Sequence, residues 1–167
     1  MIRRFHQKGD AASWAEFSDD GAYRYRLERM WHPGPRALFV MLNPSTATET
    51  QNDPTVERCE RRARALGFGS FAVGNIFAFR ATDPKVMRVA GDPVGPGNDA
   101  AILAMAAEAD RVICAWGTHG VHLGRGAWVE ALLRGAGLPL YHLGLSKAGL
   151  PKHPLYIGYE TQPVVWG

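Results

Sequence analysis

Four apolar runs, separated by segments of helical period, set the tightest limit on how this chain can fold. They are "ALFVML" (37–42), "FAVGNIFAF" (71–79), "RVICAWG" (111–117) and "LPLYHLGL" (138–145). None alternates apolar with polar residues, so each predicts a strand covered on both faces. A helix is predicted between the first two. Asp53 can cap it, Pro54 suits its first turn, and Val56, Cys59, Ala63 and Leu66 recur at helical spacing. "DAAILAMAAEA" (99–109) and "AWVEALLRGAG" (127–137) predict helices in the other two gaps. Strands alternating with helices imply a parallel sheet with helices on both faces. The expected fold is a three-layer α/β/α sandwich around a four-stranded, mostly parallel central sheet.

The remaining segments flank this core. Residues 13–30 read as a β-hairpin: "SDDG" is a turn signal, and Tyr23, Tyr25 and Leu27 alternate with Arg24, Arg26 and Glu28. Residues 80–98 are rich in Pro, Gly and Asp and hold one short predicted helix, Pro84 to Val89. The tail after residue 146 is mostly loop, with a last short strand near Val164. Nothing divides the chain, so residues 1–167 form one expected domain.

Composition narrows the setting. At 167 residues the chain can bury ~70% of its unfolded surface, enough to fold without a disulfide or a metal. Its two cysteines, Cys59 and Cys114, have no metal-binding or redox spacing. The N-terminus lacks the apolar core of a secretory signal, and no apolar run approaches the ~20 residues of a membrane span. A cytoplasmic protein without cofactor, metal or membrane partner is expected. The net charge of +3 permits phosphate binding without demanding it. Arg58, Arg61, Arg62 and Arg64 share a predicted helix and read as a solvated face.

Each apolar run ends in small or polar residues. The first gives Asn43-Pro44-Ser45. The second contains Asn75 and runs through Phe79 to Arg80. The third ends Trp116-Gly117-Thr118-His119, and the fourth Leu145-Ser146-Lys147. In a parallel sheet these ends lie together along one edge, where open α/β sheets bind ligands. Local explanations compete at each position. Asn43-Pro44 could initiate a turn. Asn75, inside an apolar strand, is tied to backbone or used on a ligand, since an unpaired buried amide costs ~1–3 kcal/mol. Trp116 is core or pocket wall, His119 a loop histidine or a ligand contact. Asp53 reads as a helix cap. His153, in "LPKHPLY", is a surface turn residue or a donor to an anion.

Several motifs together, "YRYRLERMW", "MLNPSTAT", "DPTVERC", "GNIFAFRATDP", "DPVGPGND", "AWGTHG" and "GLPKHPLYI", resemble the domain-of-unknown-function family DUF1643 of bacterial and phage proteins, over about residues 23–157. Their order is more remotely similar to the uracil-DNA glycosylase superfamily. That resemblance implies a water-positioning role for Asn43 within "MLNPS", base pairing by Asn75, and leaving-base stabilisation by His153 or Lys147. It also implies ligand contacts from Pro44, Ser45, Phe79, Arg80, Trp116, His119, Ser146 and Lys147. The His/Asn-Pro-Ser loop of that superfamily is replaced here by "GLSK", and a His-Pro pair follows only at His153-Pro154. The expected ligand is a nucleobase, a nucleotide or DNA. The chain would excise a base, bind a modified base without chemistry, or act on a free nucleoside.

Overall fold

The computed structural model describes residues 1–167, except the side chain of residue 8. The first apolar run forms β4 (Arg36–Met41), the second β5 (Ser70–Asn75), the third β6 (Arg111–Cys114) and the fourth β7 (Leu140–His142). They lie side by side in the order β5-β4-β6-β7, all parallel. This is the expected core. The sheet is larger and more mixed than expected. β1 (Ile2–Lys8), β2 (Ala11–Phe17) and β3 (Arg24–Met30) extend it antiparallel beyond β5, and β8 (Val164–Val165) pairs antiparallel with β7. Antiparallel pairings therefore outnumber parallel ones in an eight-stranded sheet. β2 and β3 are the expected hairpin. β1 escapes sequence reading because "IRRFHQK" has no apolar alternation; it is an exposed edge strand held by its ladder to β2.

The continuous apolar runs follow from cover on both faces. In β4, Leu38 and Val40 enter one core with Ile102, Met105, Val129 and Leu133. Ala37, Phe39 and Met41 enter the other with Val56, Cys59 and Ala63. Thus α1 (Pro54–Ala65) covers one face, and α3 (Asn98–Glu108) with α4 (Arg125–Gly135) covers the other. Fully burying a side chain such as Leu38 or Phe39 contributes ~1.5–3 kcal/mol. The long 80–98 connection holds α2 (Pro84–Val89), whose Met87 is buried in the same core as α3. No helix among the described residues is long and apolar enough to cross a membrane.

Packing corrects two expectations and decides between the two readings of Trp116. First, β3 is not half-solvated: Arg24, Glu28 and Arg29 are buried along with Tyr25 and Leu27. Second, Trp116 is core, 1% exposed, because its indole is clasped by glycines. A Cβ at Gly120 would lie 2.3 Å from its ring and one at Gly126 2.7 Å, so packing against the indole requires glycine at both positions. Third, the basic face of α1 is not merely solvated. Arg62 is fully buried and donates to the carbonyls of Ile157, Gly158 and Thr161; Arg58 reaches those of Pro154 and Ile157. Both guanidinium groups lie over the Tyr159 ring. This side of α1 bolts the irregular tail to the domain.

Arg62→Ala should therefore cost ~2–3 kcal/mol, because it strands three carbonyls and removes charge-assisted hydrogen bonds. Arg61→Ala, at an exposed position whose ion pair among the described residues is with Glu57 on its own helix, should stay within ~0.5 kcal/mol. Chemical denaturation of the two variants checks the contrast.

Candidate functional site

A polar cleft opens over the C-terminal end of β4, where the connections through α1 and α3 depart to opposite sides. The chain leaves β4 as Asn43-Pro44-Ser45. Backbone bonds from Ile76 to Met41, from Phe77 to Leu42 and from Ala81 to Pro44 carry the pairing with the β5 side past the strands themselves. Asn43 and Asn75 thereby stand at neighbouring strand ends, and both line the cleft with Arg24, Pro44, Ser45, Asp53 and His153.

Both amides are locked. Asn43 Nδ2 donates to the carbonyls of Ala81 (2.8 Å) and Pro44 (3.1 Å), which leaves its Oδ1 as an acceptor. Asn75, 2% exposed, has the opposite orientation. Its Oδ1 accepts from Arg24 Nη2 at 3.3 Å, and its Nδ2 has no partner among the described residues. An arginine has only donors, so its contact fixes which end of the amide is oxygen. Among the described residues, the Asn43 oxygen and the Asn75 Nδ2 are thus the amide ends left without a partner.

Arg24 is held from both sides. Its Nη1 donates to the carbonyl of Ala47 at 3.0 Å, and no carboxylate lies within ion-pair distance of it among the described residues. Burial lowers its pKa to about 10, against the opposing pull of Asp53. It remains a cation at neutral pH. Asp53 caps α1 as expected, Oδ1 accepting from Val56 N at 2.9 Å, while Oδ2 accepts from Ala47 N at 3.2 Å. Ala47 therefore links the Asp53 carboxylate to the Arg24 guanidinium through its own peptide groups.

His153 stands at the junction of two cavities. The cleft at the strand ends measures about 30 Å³, room for a water or two. A second pocket of about 360 Å³ is lined by Thr118, Ser146, Lys152, His153 and Tyr156 among others. His153 Nδ1 accepts from Leu155 N at 3.3 Å, so the neutral ring carries its proton on Nε2. Burial holds its pKa below the usual histidine value, and the Asp53 charge opposes that shift.

Of the expected site residues, Asn43, Pro44, Ser45, Asn75 and His153 come together, with Ser146 in the adjoining pocket. The others lie elsewhere. Phe79 packs edge-on against Tyr23, and Arg80 bonds the Gly21 carbonyl and lies over Phe17. Trp116 is core. His119 is exposed beside Arg88, 3.4 Å away, and Lys147 is exposed outside both cavities. Arg24 and Asp53 were not anticipated as cleft residues. Alternation in β3 assigned Arg24 to solvent, and a capping role accounted for Asp53 completely. Both cysteines are buried, and burial raises their thiol pKa values, so neither is a nucleophile at neutral pH.

These features define an α/β protein with a polar cleft at the C-terminal ends of parallel strands. The chain belongs to the family described as "Protein of unknown function (DUF1643)", whose model matches residues 24–155. That span begins at Arg24 and includes every cleft residue, while β1 and β2 fall outside it. No curated protein and no solved structure matches the chain.

The His153 shift has a signed consequence. A histidine with depressed folded pKa favours the native state in its neutral form, so its contribution is present above ~6.5 and is lost as pH falls. Between pH ~7.5 and ~5.5 the wild type should lose more thermal stability than His153→Gln. His142, also shifted down by burial, is present in both proteins and cancels. Parallel melting temperatures across this range would show that His153 is freely hydrated.

Proposed function

We propose that this protein recognises a nucleobase by its carbonyl edge and hydrolyses the N-glycosidic bond that carries it. The locked Asn75 amide is the observation that supports this most. Asn75 lines the cleft, its Nδ2 has no partner among the described residues, and the Arg24 cation on its oxygen polarises the amide into a stronger donor. A base carbonyl fits such a donor, as in uracil, thymine or hypoxanthine. The cleft admits a carbonyl oxygen and a water, not a whole ring, so the ring lies at the mouth beside His153.

The mechanism uses groups already in place. Asn43 Oδ1 orients the water but cannot take its proton. Asp53 lines the same cleft, and each of its carboxylate oxygens retains a lone pair beyond its one backbone bond. It accepts the water proton as the oxygen bonds to the anomeric carbon. The carbon–nitrogen bond breaks with its electron pair moving to the base. Asn75 Nδ2–H and His153 Nε2–H stabilise the negative charge that develops there. The net reaction adds one water across one bond. A carboxylate in the cleft favours chemistry over a purely binding role. The motif resemblance to the uracil-DNA glycosylase superfamily, carried by the ends of β4 and β5, agrees with this reading.

Asp53→Asn retains a capping side chain and removes the base. It should lower release of free base from uridine and inosine substrates by ~10²-fold or more, with a loss of release larger than any loss of ligand affinity. Chromatographic detection of released base measures this. A wild-type protein that binds these ligands without releasing base would be a recognition module instead.

A further inference from the structure

The 360 Å³ pocket beyond His153 lies in the size range of small-molecule sites, and its lining has one sign of charge. No Asp or Glu contributes to it. Lys152 and His153 are its ionisable groups besides the Tyr156 phenol, and Thr118 and Ser146 supply hydroxyls. Lys152 has no carboxylate within ion-pair distance among the described residues. We propose that this pocket binds the phosphate of a nucleotide, with Lys152, Thr118 and Ser146 as its donors. The proposal rests on the base-recognition reading above: a base edge at Asn75 leaves the sugar and phosphate on the His153 side, in this pocket.

The pocket wall is built rather than incidental. Residues 144–152 form a tight hairpin, with Lys152 N bonded to Gly144 O (2.9 Å), Ser146 N to Leu150 O (2.8 Å) and Gly149 N to Ser146 O (2.9 Å). Gly117 N ties this hairpin to the end of β6 through Pro151 O at 2.9 Å. The Lys152 stem lies along Gly144, where φ is +131 and an added Cβ would meet Lys152 Cδ at 3.4 Å. Ser146 Oγ accepts from Leu150 N at 3.2 Å, which leaves its hydroxyl proton to donate. Opposite, Arg58 anchors the turn that presents Tyr156, whose ring is 91% exposed at the rim. That ring can pack against a sugar or a neighbouring base. A phosphate here meets a cation and two hydroxyls without an opposing carboxylate. Asp53 lines the smaller cleft, which shares His153 with this pocket.

The test compares uridine, uridine monophosphate, inorganic phosphate and a short single-stranded oligouridylate by isothermal titration against wild type, Lys152→Gln and Thr118→Val. Both positions are exposed, and melting curves confirm that the variants fold. Wild type should bind the monophosphate at least about tenfold more tightly than uridine, the worth of one charge-assisted contact. Lys152→Gln should lose that margin while its affinity for uridine is unchanged. An oligouridylate preferred over the monophosphate, with the same loss in Lys152→Gln, assigns the phosphate to a strand rather than a free nucleotide. Equal affinity of wild type for uridine and its monophosphate overturns the phosphate site and leaves base recognition standing. Binding of neither overturns both.

Discussion

The Arg24 guanidinium is the interaction on which the rest of the site depends. Arg24 is 2% exposed, and no carboxylate lies within ion-pair distance of it among the described residues. Burying a charge in this way costs several kcal/mol unless hydrogen bonds and nearby charge compensate. The compensation comes from the Ala47 carbonyl, the Asn75 amide oxygen and the field of Asp53. The same contacts define the cleft. They join β3 to the end of β5, hold the loop that follows β4, and set which way the Asn75 amide faces. One buried cation thus converts an ambiguous amide into a fixed donor.

The principle recurs around the cleft edge. Arg29, fully buried, donates to the carbonyls of Thr48 and Gln51 and to Asn52 Oδ1, fixing the loop that leads into α1. Arg62 does the same for the tail that carries His153 and Tyr156. A sheet edge built from loops leaves many carbonyls without ladder partners, and such groups must be satisfied when buried. A guanidinium, with five donors in a rigid fork, satisfies several at once. Irregular backbone is therefore held in place where a site needs it, by side chains from regular elements.

This arrangement explains what the sequence reveals. The four parallel strands were legible because burial on both faces leaves uninterrupted apolar runs, as in Leu38–Leu42. The cap at Asp53 was legible because Asp-Pro before a helical period has one local meaning. The strand ends announced Asn43 and Asn75. β1 was not legible, because an edge strand needs no apolar pattern. Arg24 and Arg62 were not legible either, since a charged residue at alternate or helical spacing looks solvated until the chain that buries it is placed. The tail that covers Arg62 lies some hundred residues away in sequence. Trp116 and His119 were ambiguous in sequence: Gly120 and Gly126 pack against the indole in the core, and His119 lies beside Arg88 outside the cleft.

The central claim is that a ligand base meets the locked amide of Asn75 beside His153. Heteronuclear NMR of the side-chain amides and imidazoles during addition of uridine monophosphate tests it most directly. The account predicts that the Asn75 Nδ2 protons and the His153 ring shift together and saturate at one concentration. The domain also carries a cavity of about 450 Å³ at the opposite end of the sheet, bordered by Pro35, Asp110 and Arg111. Shifts confined to that end, with the Asn75 amide unmoved, would contradict the account.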